Sequence, residues 1–198
     1  KIFILISKQV TSFLKMSQSL GNLYTIVCVA HNEAGEFNNN LRKEVRSKFK
    51  AKLSTLPAHF TIKSGFKYDG DVSEMLSTID AFVKNERSQP YTIDGFGSFK
   101  KDVIYMEVKM SNEGKAMHDR LIDALDKIEY IKFDQKDGKD KQFHMTIASK
   151  NLSRIFDDIW AHVNQYSCIY NCMFDNVTVF KWGERTWEVL QEFKIPPQ

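Results

Sequence analysis

Two short segments of the sequence repeat one pattern: a histidine, an apolar residue, a threonine and a second apolar residue. The segments are residues 59–62, His-Phe-Thr-Ile, and residues 144–147, His-Met-Thr-Ile. Side chains of an extended strand alternate between two faces, so each segment predicts a strand with one apolar face and one face of imidazole and hydroxyl. The repetition indicates that two matching strands hold a polar group between them.

The hydrophobic periodicity around these motifs predicts a mixed fold. Strands are expected at 24–30, 59–66, 91–99, 103–110, 144–149, 172–182 and 186–193, and helices at 37–50, 74–84, 112–128 and from 151 or 153 to 163. A motif strand flanked by helices thus occurs twice, which predicts two similar α+β lobes that face each other. No low-complexity linker separates the lobes.

The bulk composition excludes several classes of protein. The 198 residues suffice for one domain, and the net charge of +3 argues against a long charge-driven footprint on duplex nucleic acid. No apolar run approaches the length of a membrane span. The odd number of cysteines, Cys28, Cys168 and Cys172, indicates reduced thiols in a cytoplasmic protein, which we expect to be a monomer.

The start of the chain is interpreted separately. Residues 1–15 contain a short apolar run, and Met16 precedes a polar stretch. We expect residues 1–15 to be an upstream or artificially added extension and residues 16–198 to form a single bilobal domain. A genuine additional strand in residues 1–15 is the alternative.

The residues around the motifs resemble those of the 2H phosphoesterase superfamily, which includes 2′,5′-RNA ligase-like proteins and cyclic nucleotide phosphodiesterases. The resemblance rests on the paired motifs, the Leu-Pro-Ala-His lead-in at 56–59, the hairpin containing 97–99 and 103–108, and the Gly-Glu-Arg-Thr-Trp turn at 183–187. It covers residues 24–193. Phe143 stands where the family often has proline, and Trp187 stands where tyrosine is more usual.

The resemblance implies two pseudo-symmetric antiparallel sheets with outer helices and a central cleft that holds both histidines. It also implies a metal-independent phosphodiesterase acting on 2′,3′-cyclic phosphates or 2′,5′ bonds of RNA-derived nucleotides, without a cofactor. His59 and His144 would serve as general base and general acid, in an order left open, because imidazole can do both near neutral pH. Thr61 and Thr146 would donate hydrogen bonds to phosphate oxygens.

Four further residues are candidates for substrate binding. Lys63 shares the face of His59 if the strand stays regular, although a solvated lysine at a strand end is equally compatible. Phe66, Tyr68 and Trp182 could stack on a base, although a core or rim position is the plainer interpretation of each. His118 and His162 lie in helical patterns and are expected to be structural, and His31 has no motif context.

Two other functions stay open. A protein that binds a nucleotide or RNA end with little or no turnover would carry the same motif, and ligation of 2′,5′ ends would use the same groups. A metal held by His59 and His144 is disfavoured, because no carboxylate or thiolate accompanies them. The expected partner is therefore a nucleotide or short RNA, not a membrane, and the physiological substrate is not specified.

Overall fold

The computed structural model describes residues 21–198, so the expectations for residues 1–15 and for Met16 lie outside the described residues. The elements follow in the order β1 (Leu23–Val29), α1 (Glu33–Phe49), β2 (His59–Lys67), α2 (Ser73–Lys84), β3 (Gln89–Phe99), β4 (Val103–Met110), α3 (Asn112–Leu125), β5 (His144–Ser149), α4 (Phe156–Val163), β6 (Ile169–Phe174), β7 (Asn176–Trp182) and β8 (Trp187–Lys194). No helix in this part of the chain has the length and apolarity needed to cross a bilayer.

The strands form two antiparallel sheets of four strands each. Sheet 1 has the order β2-β1-β7-β8, and sheet 2 has the order β5-β4-β3-β6. Each sheet therefore carries one motif strand, β2 or β5, at its edge, and these two strands lie in contact. The predicted α+β class, with two similar antiparallel lobes, is confirmed.

The apolar residues of both motifs face a core that the two sheets share. Phe60 and Ile62 of β2 and Met145 and Ile147 of β5 are buried in one continuous cluster. The Phe60 ring lies 5.0–5.6 Å from aromatic rings that belong to sheet 2 or lead into it, which are Tyr91, Phe143 and Phe174. Alternation along each strand then turns the histidine and threonine away from this core.

The prediction of one strand over 172–182 was wrong. Residues up to Phe174 pair with β3 in sheet 2, whereas Thr178 to Lys181 pair with β1, and Asn176 onward with β8, in sheet 1. Asp175 is thus the single residue between two strands of different sheets. Buried apolar residues lie at 172 and 174 before it and at 177 and 179 after it, so the alternation changes phase at the change of sheet, a signal that sequence reasoning missed. The hairpin of β7 and β8 was predicted correctly.

Helices α1 and α4 begin a few residues away from their predicted starts. Helix α1 begins at Glu33 rather than 37, because the Asn32 side chain caps it by accepting a hydrogen bond from the Gly35 N–H at 3.2 Å. A Cβ at residue 35 would overlap the carbonyl oxygen of Ala30, so the close approach of α1 to β1 requires glycine. Helix α4 begins at Phe156.

Candidate active site

His59 is the first residue of β2, and its imidazole is fixed by the chain that precedes it. Its Nδ1 lies 2.6 Å from the carbonyl oxygen of Pro57. The Ala58 N–H donates to Asn39 Oδ1 of α1 at 2.9 Å, and the Ala58 carbonyl accepts from the Ala30 N–H at 2.9 Å. Helix α1 and the end of β1 therefore both hold the segment from which His59 enters its strand.

His144 is the first residue of β5 and repeats this local geometry. Its Nδ1 lies 3.0 Å from the carbonyl oxygen of Gln142, again two residues earlier. Its ring contacts two aromatic rings of sheet 2, Phe99 at 4.9 Å and Tyr105 at 5.2 Å between centroids. Gln142 also donates from Nε2 to the Tyr105 hydroxyl at 3.0 Å, so one residue supports both the histidine and its aromatic neighbour.

The shared geometry decides which ring nitrogen is available for chemistry. A backbone carbonyl can only accept a hydrogen bond, so Nδ1 of both histidines carries a proton. Nε2 is then the atom that can take up or release a proton at a ligand. Each imidazole is half-buried, as a group that must reach both protein and solvent should be.

The two imidazoles lie within electrostatic reach of one another. The pKa of His59 is lowered to about 4, chiefly by burial and also by the nearby charges of Arg42 and His144, against the raising effect of the Pro57 carbonyl. Burial also lowers the pKa of His144, opposed by the Gln142 carbonyl and aided by the charge of Lys141. Both rings are therefore neutral at pH 7 when no anion is bound.

The motif threonines lie on the same faces as their histidines. In sheet 1, His59 pairs with Val29 and Thr61 with Val27. Directly opposed residues of antiparallel strands share a face, so both polar side chains stand over an apolar patch. That patch is a small cluster separate from the main core, made of Val27, Val29 and Phe180 with Leu56 and Trp187 packed against it.

Sheet 2 repeats this arrangement of histidine and threonine. Glu107 of β4 pairs with His144, and Tyr105 pairs with Thr146. Both motif threonines are half-buried, and neither hydroxyl hydrogen bonds to a residue within 21–198. The hydroxyl groups are thus placed to donate to a ligand.

The expectation for Lys63 was wrong, because β2 is not regular. The register shifts between Thr61, which pairs with Val27, and Lys63, which pairs with Ile26. This bulge turns Lys63 to the core side, away from the face of His59. There its Nζ lies 2.7 Å from Asp137 Oδ2, and both side chains are buried, with 7% and 1% exposed. Lys63 is a partner in a buried ion pair.

Phe66 and Tyr68 lie away from the histidines, whereas Trp182 contacts Trp187, which packs on the patch beneath His59 and Thr61. Phe66 packs on Tyr24 at 5.8 Å and stands seven residues beyond His59, roughly 20 Å along the strand. Tyr68 stacks on Tyr130 with centroids 3.7 Å apart. Trp182 is 40% exposed and packs against Trp187 at the end of the last hairpin.

The remaining histidines and the cysteines lie outside this arrangement. His118 and His162 are buried in α3 and α4, and His31 is exposed with Nε2 3.1 Å from Glu192. The three thiols are buried and unbridged, as predicted. In residues 21–198, no three side chains of histidine, cysteine, aspartate or glutamate are grouped to hold a metal ion.

Two cations that sequence reasoning missed hold the motif strands in place. Arg42 is buried and donates from Nη1 to the Leu56 carbonyl at 3.0 Å and from Nη2 to the Ser54 carbonyl at 2.7 Å. It thereby fixes the lead-in to His59. Lys141 donates from Nζ to the carbonyls of Thr61 and Ile62, which joins the start of β5 to β2. Neither contact has a local sequence signal, because each joins segments at least 12 residues apart.

A two-lobed α+β fold that presents a His-apolar-Thr strand at the edge of each sheet defines a protein of the 2H phosphoesterase class. The model of the 2′-5′ RNA ligase superfamily matches residues 33–186, so the chain belongs to that family. The resemblance inferred from the motifs is confirmed, and the chain is an enzyme of this type. A comparison with curated protein sequences finds no match.

Solved structures support the fold at low sequence identity. TT0787 of Thermus thermophilus is similar with a TM-score of 0.62 and 12% identity, over 89% of this chain and 99% of that one. Apo E. coli LigT is similar with a TM-score of 0.56 and 10% identity, over 88% and 98% of the two chains. LigT complexed with 3′-AMP gives 0.55 at the same identity and coverage. The comparisons therefore agree on a phosphoesterase fold.

Proposed function

We propose that this protein is a metal-independent phosphodiesterase that opens 2′,3′-cyclic phosphates or cleaves 2′,5′ bonds of RNA-derived nucleotides. The observation that carries the proposal is the matched pair of half-buried imidazoles, each with Nδ1 held by a carbonyl two residues earlier. Two Nε2 atoms on neighbouring edge strands can serve the opposite sides of one phosphorus. A cytoplasmic setting fits the three buried, unbridged thiols.

The environments of the two imidazoles support distinct roles in hydrolysis. His59, with a pKa lowered to about 4, is neutral at pH 7 and suits the general base, which takes a proton from the attacking water through Nε2. As the new P–O bond forms and the bond to the ribose oxygen breaks, His144 donates its Nε2 proton to that oxygen. The negative charge of the bound phosphate raises the pKa of His144, which favours the protonated form that this step needs.

Thr61 and Thr146 complete the proposed site by donating hydrogen bonds to non-bridging phosphate oxygens. Hydroxyls fixed on a strand need little rearrangement as charge develops, so each would stabilise the transition state more than the bound substrate. Removal of one such donor typically costs roughly 2.7–4 kcal/mol of barrier.

The solved neighbours support a nucleotide as the ligand. E. coli LigT has been solved in complexes with 3′-AMP and with NADP⁺. Both are nucleotides with phosphate groups, and the fold of this chain matches that of LigT over most of its length. We therefore infer that a nucleotide or the end of a short RNA binds between β2 and β5.

The test is turnover of cyclic mononucleotides, cyclic-ended RNA and 2′,5′-linked oligonucleotides, with the position of the product phosphate identified. We expect His59→Ala and His144→Ala to lower kcat at least ~100-fold each, the usual range for loss of a general acid or base. Thr61→Val should lower kcat by a comparable factor and Thr61→Ser much less. Thr92→Val, at an exposed threonine of β3, is the matched control and should leave kcat unchanged.

Three outcomes would contradict the proposal. Full turnover by either histidine variant, with its thermal unfolding unchanged, would remove that imidazole from the mechanism. A nucleotide that binds the native protein and survives prolonged incubation intact would identify a binding protein instead. Joining of 2′,5′ ends, rather than cleavage, would show that the same groups work in the direction of ligation.

A further inference from the structure

A basic cavity lies beside the lead-in to His59, between α1 and residues 53–57. Its volume is about 450 Å³. Three cations line it, Arg42, Lys43 and Arg46, together with the hydroxyl-bearing residues Ser54 and Thr55. Aspartate and glutamate are absent from the lining residues, although the sequence as a whole carries 25 acidic residues against 28 basic ones.

The cations reach this cavity because of their spacing on α1. Residues 39, 42, 43 and 46 follow the i, i+3, i+4, i+7 pattern of one helix face, whereas Leu41 and Val45 on the opposite side are buried. Arg42 is a fixed charge, since its guanidinium donates to two backbone carbonyls. Lys43 and Arg46 are exposed, and in residues 21–198 neither forms an ion pair. Two exposed cationic donors thus stand beside one fixed cation.

Residues 53–57, which line the cavity opposite α1, supply hydroxyl groups. Ser54 Oγ accepts from the Leu56 N–H at 3.2 Å, and Thr55 Oγ1 accepts from the Trp187 N–H at 3.1 Å. A hydroxyl that accepts still has its own proton to donate. The cavity therefore offers donors on both walls, which suits a phosphate oxygen better than an apolar ligand.

Pro57 connects the cavity to the proposed reaction centre. It lines the cavity, and its carbonyl oxygen lies 2.6 Å from His59 Nδ1. The segment that leads into His59 therefore forms a wall of the cavity and also holds the imidazole.

We propose that this cavity binds a backbone phosphate of a single-stranded oligonucleotide, adjacent to the phosphate on which His59 and His144 act. The inference rests on the proposed function and specifies its substrate class: an RNA end with at least one further nucleotide, in preference to a cyclic mononucleotide. A polyphosphate of a free nucleotide presents the same chemistry, so the experiment must separate these two sources.

The experiment measures binding by fluorescence anisotropy with a labelled pentanucleotide that ends in a 3′-phosphate and is not cleaved. Lys43→Ala/Arg46→Ala removes the two exposed cations. We expect the Kd to rise roughly 5- to 30-fold, as for loss of two exposed charge contacts. The slope of log K against log salt should become shallower by about 0.7, for one phosphate released. The control is Arg87→Ala/Lys127→Ala, which removes the same charge at exposed positions outside the cavity, and it should leave both values unchanged.

Kinetics provide the second readout. On a pentanucleotide with a 2′,3′-cyclic end, Lys43→Ala/Arg46→Ala should raise KM with kcat unchanged, because the flanking phosphate binds equally in the ground and transition states. Turnover of a cyclic mononucleotide should not change. An equal Kd loss in the control pair, or an equal KM rise for the mononucleotide, would overturn the proposal.

Direct binding of pyrophosphate separates the two phosphate sources. Pyrophosphate that binds the native protein and Lys43→Ala/Arg46→Ala with equal affinity, while the pentanucleotide Kd rises in the variant, supports the oligonucleotide site. Pyrophosphate that binds more tightly to the native protein, while the pentanucleotide Kd is the same for both proteins, would assign the cavity to polyphosphate and overturn the inference. Failure of the native protein to turn over any substrate would reject the proposed function, and the uncleaved pentanucleotide would still test the cavity.

Discussion

The buried ion pair of Lys63 and Asp137 yields the sharpest stability prediction. Asp137 Oδ2 accepts hydrogen bonds from Lys63 Nζ at 2.7 Å and from the Ser64 N–H at 2.9 Å and also contacts Ser64 Oγ, while Oδ1 accepts from the Asp134 N–H at 3.1 Å. These contacts anchor the segment between α3 and β5 to β2. The substitution Asp137→Asn keeps an acceptor oxygen but leaves the ammonium of Lys63 buried without a counterion.

The magnitude follows from that burial. Removal of one partner from a buried pair typically costs about 3–5 kcal/mol, whereas an exposed pair contributes roughly 0–1 kcal/mol. Urea unfolding with a slope of about 2 kcal/mol/M should then show the midpoint of Asp137→Asn lowered by about 2 M. A midpoint shift below roughly 0.5 M at an unchanged slope would show that this pair is not desolvated as the structure has it.

A double variant separates the structural role of Lys63 from a role in substrate binding. Lys63→Met/Asp137→Asn removes both charges and should recover much of the stability lost in Asp137→Asn, because no buried charge remains unpaired. Since Lys63 faces the core, KM of the double variant should equal that of the native enzyme. A stable double variant with a raised KM would contradict the assignment of Lys63 to the core side.

The carboxylate of Asp137 should also make the free energy of unfolding depend on pH in the acid range. Burial alone would raise the pKa of Asp137, but the contacts with Lys63 and Ser64 outweigh it and lower the pKa from 3.8 to about 2. At ~1.4 kcal/mol per unit this shift corresponds to about 2 kcal/mol. Because the folded state binds its proton less readily, this stabilisation is complete above about pH 4 and disappears as the pH falls through 2. The urea midpoint of Asp137→Asn should lack this acid dependence.

Three further predictions concern the reaction. The pH profile of kcat/KM should be bell-shaped, with its maximum below pH 6.5. It should rise near pH 4 as His59 loses its proton and fall as His144 loses its proton. The profile of kcat should lie at higher pH, because bound phosphate raises the pKa of both histidines. Arg42→Met should lower kcat and kcat/KM together, and Arg42→Lys should restore part of kcat. The rising limb of the pH profile should lie at higher pH for Arg42→Met than for the native enzyme. An unchanged limb would contradict an electrostatic effect of Arg42 on His59. Gly97→Ala places a Cβ 2.5 Å from the Tyr105 ring and should displace that ring. Because Tyr105 contacts His144, kcat should fall. A steady-state assay and an NMR spectrum of the histidine rings would show both effects.

The sequence predicted those parts of the site that depend on strand alternation. The period of two placed both histidines opposite their apolar neighbours, and the structure agrees. The same alternation placed Lys63 on the wrong face, because a bulge interrupts the alternation along β2. The bulge arises from the register of β1 against β2. Register is a long-range property, so the residues 59–67 taken alone could not reveal it.

The supporting residues could not be predicted for a related reason. Arg42 acts on backbone carbonyls that follow it by 12 and 14 residues, and Lys141 acts on carbonyls about 80 residues before it. Such contacts use no side-chain partner on the other segment and therefore leave no pattern in the sequence. The change of sheet at Asp175 is different, because the apolar alternation shifts from residues 172 and 174 to residues 177 and 179 and so marks the change in the sequence.

The difference between the two halves of the site lies in the surroundings of the histidines rather than in the motifs. Both histidines have the same alternation and the same carbonyl contact at Nδ1. Burial disfavours the protonated form of His59 more than any other cause, and the charge of Arg42, whose guanidinium holds the adjacent segment, adds to this effect. His144 packs against the rings of Phe99 and Tyr105, and its pKa is lowered by burial and by the charge of Lys141. In the proposed mechanism, the lowered pKa of His59 therefore assigns it the role of general base and leaves that of general acid to His144.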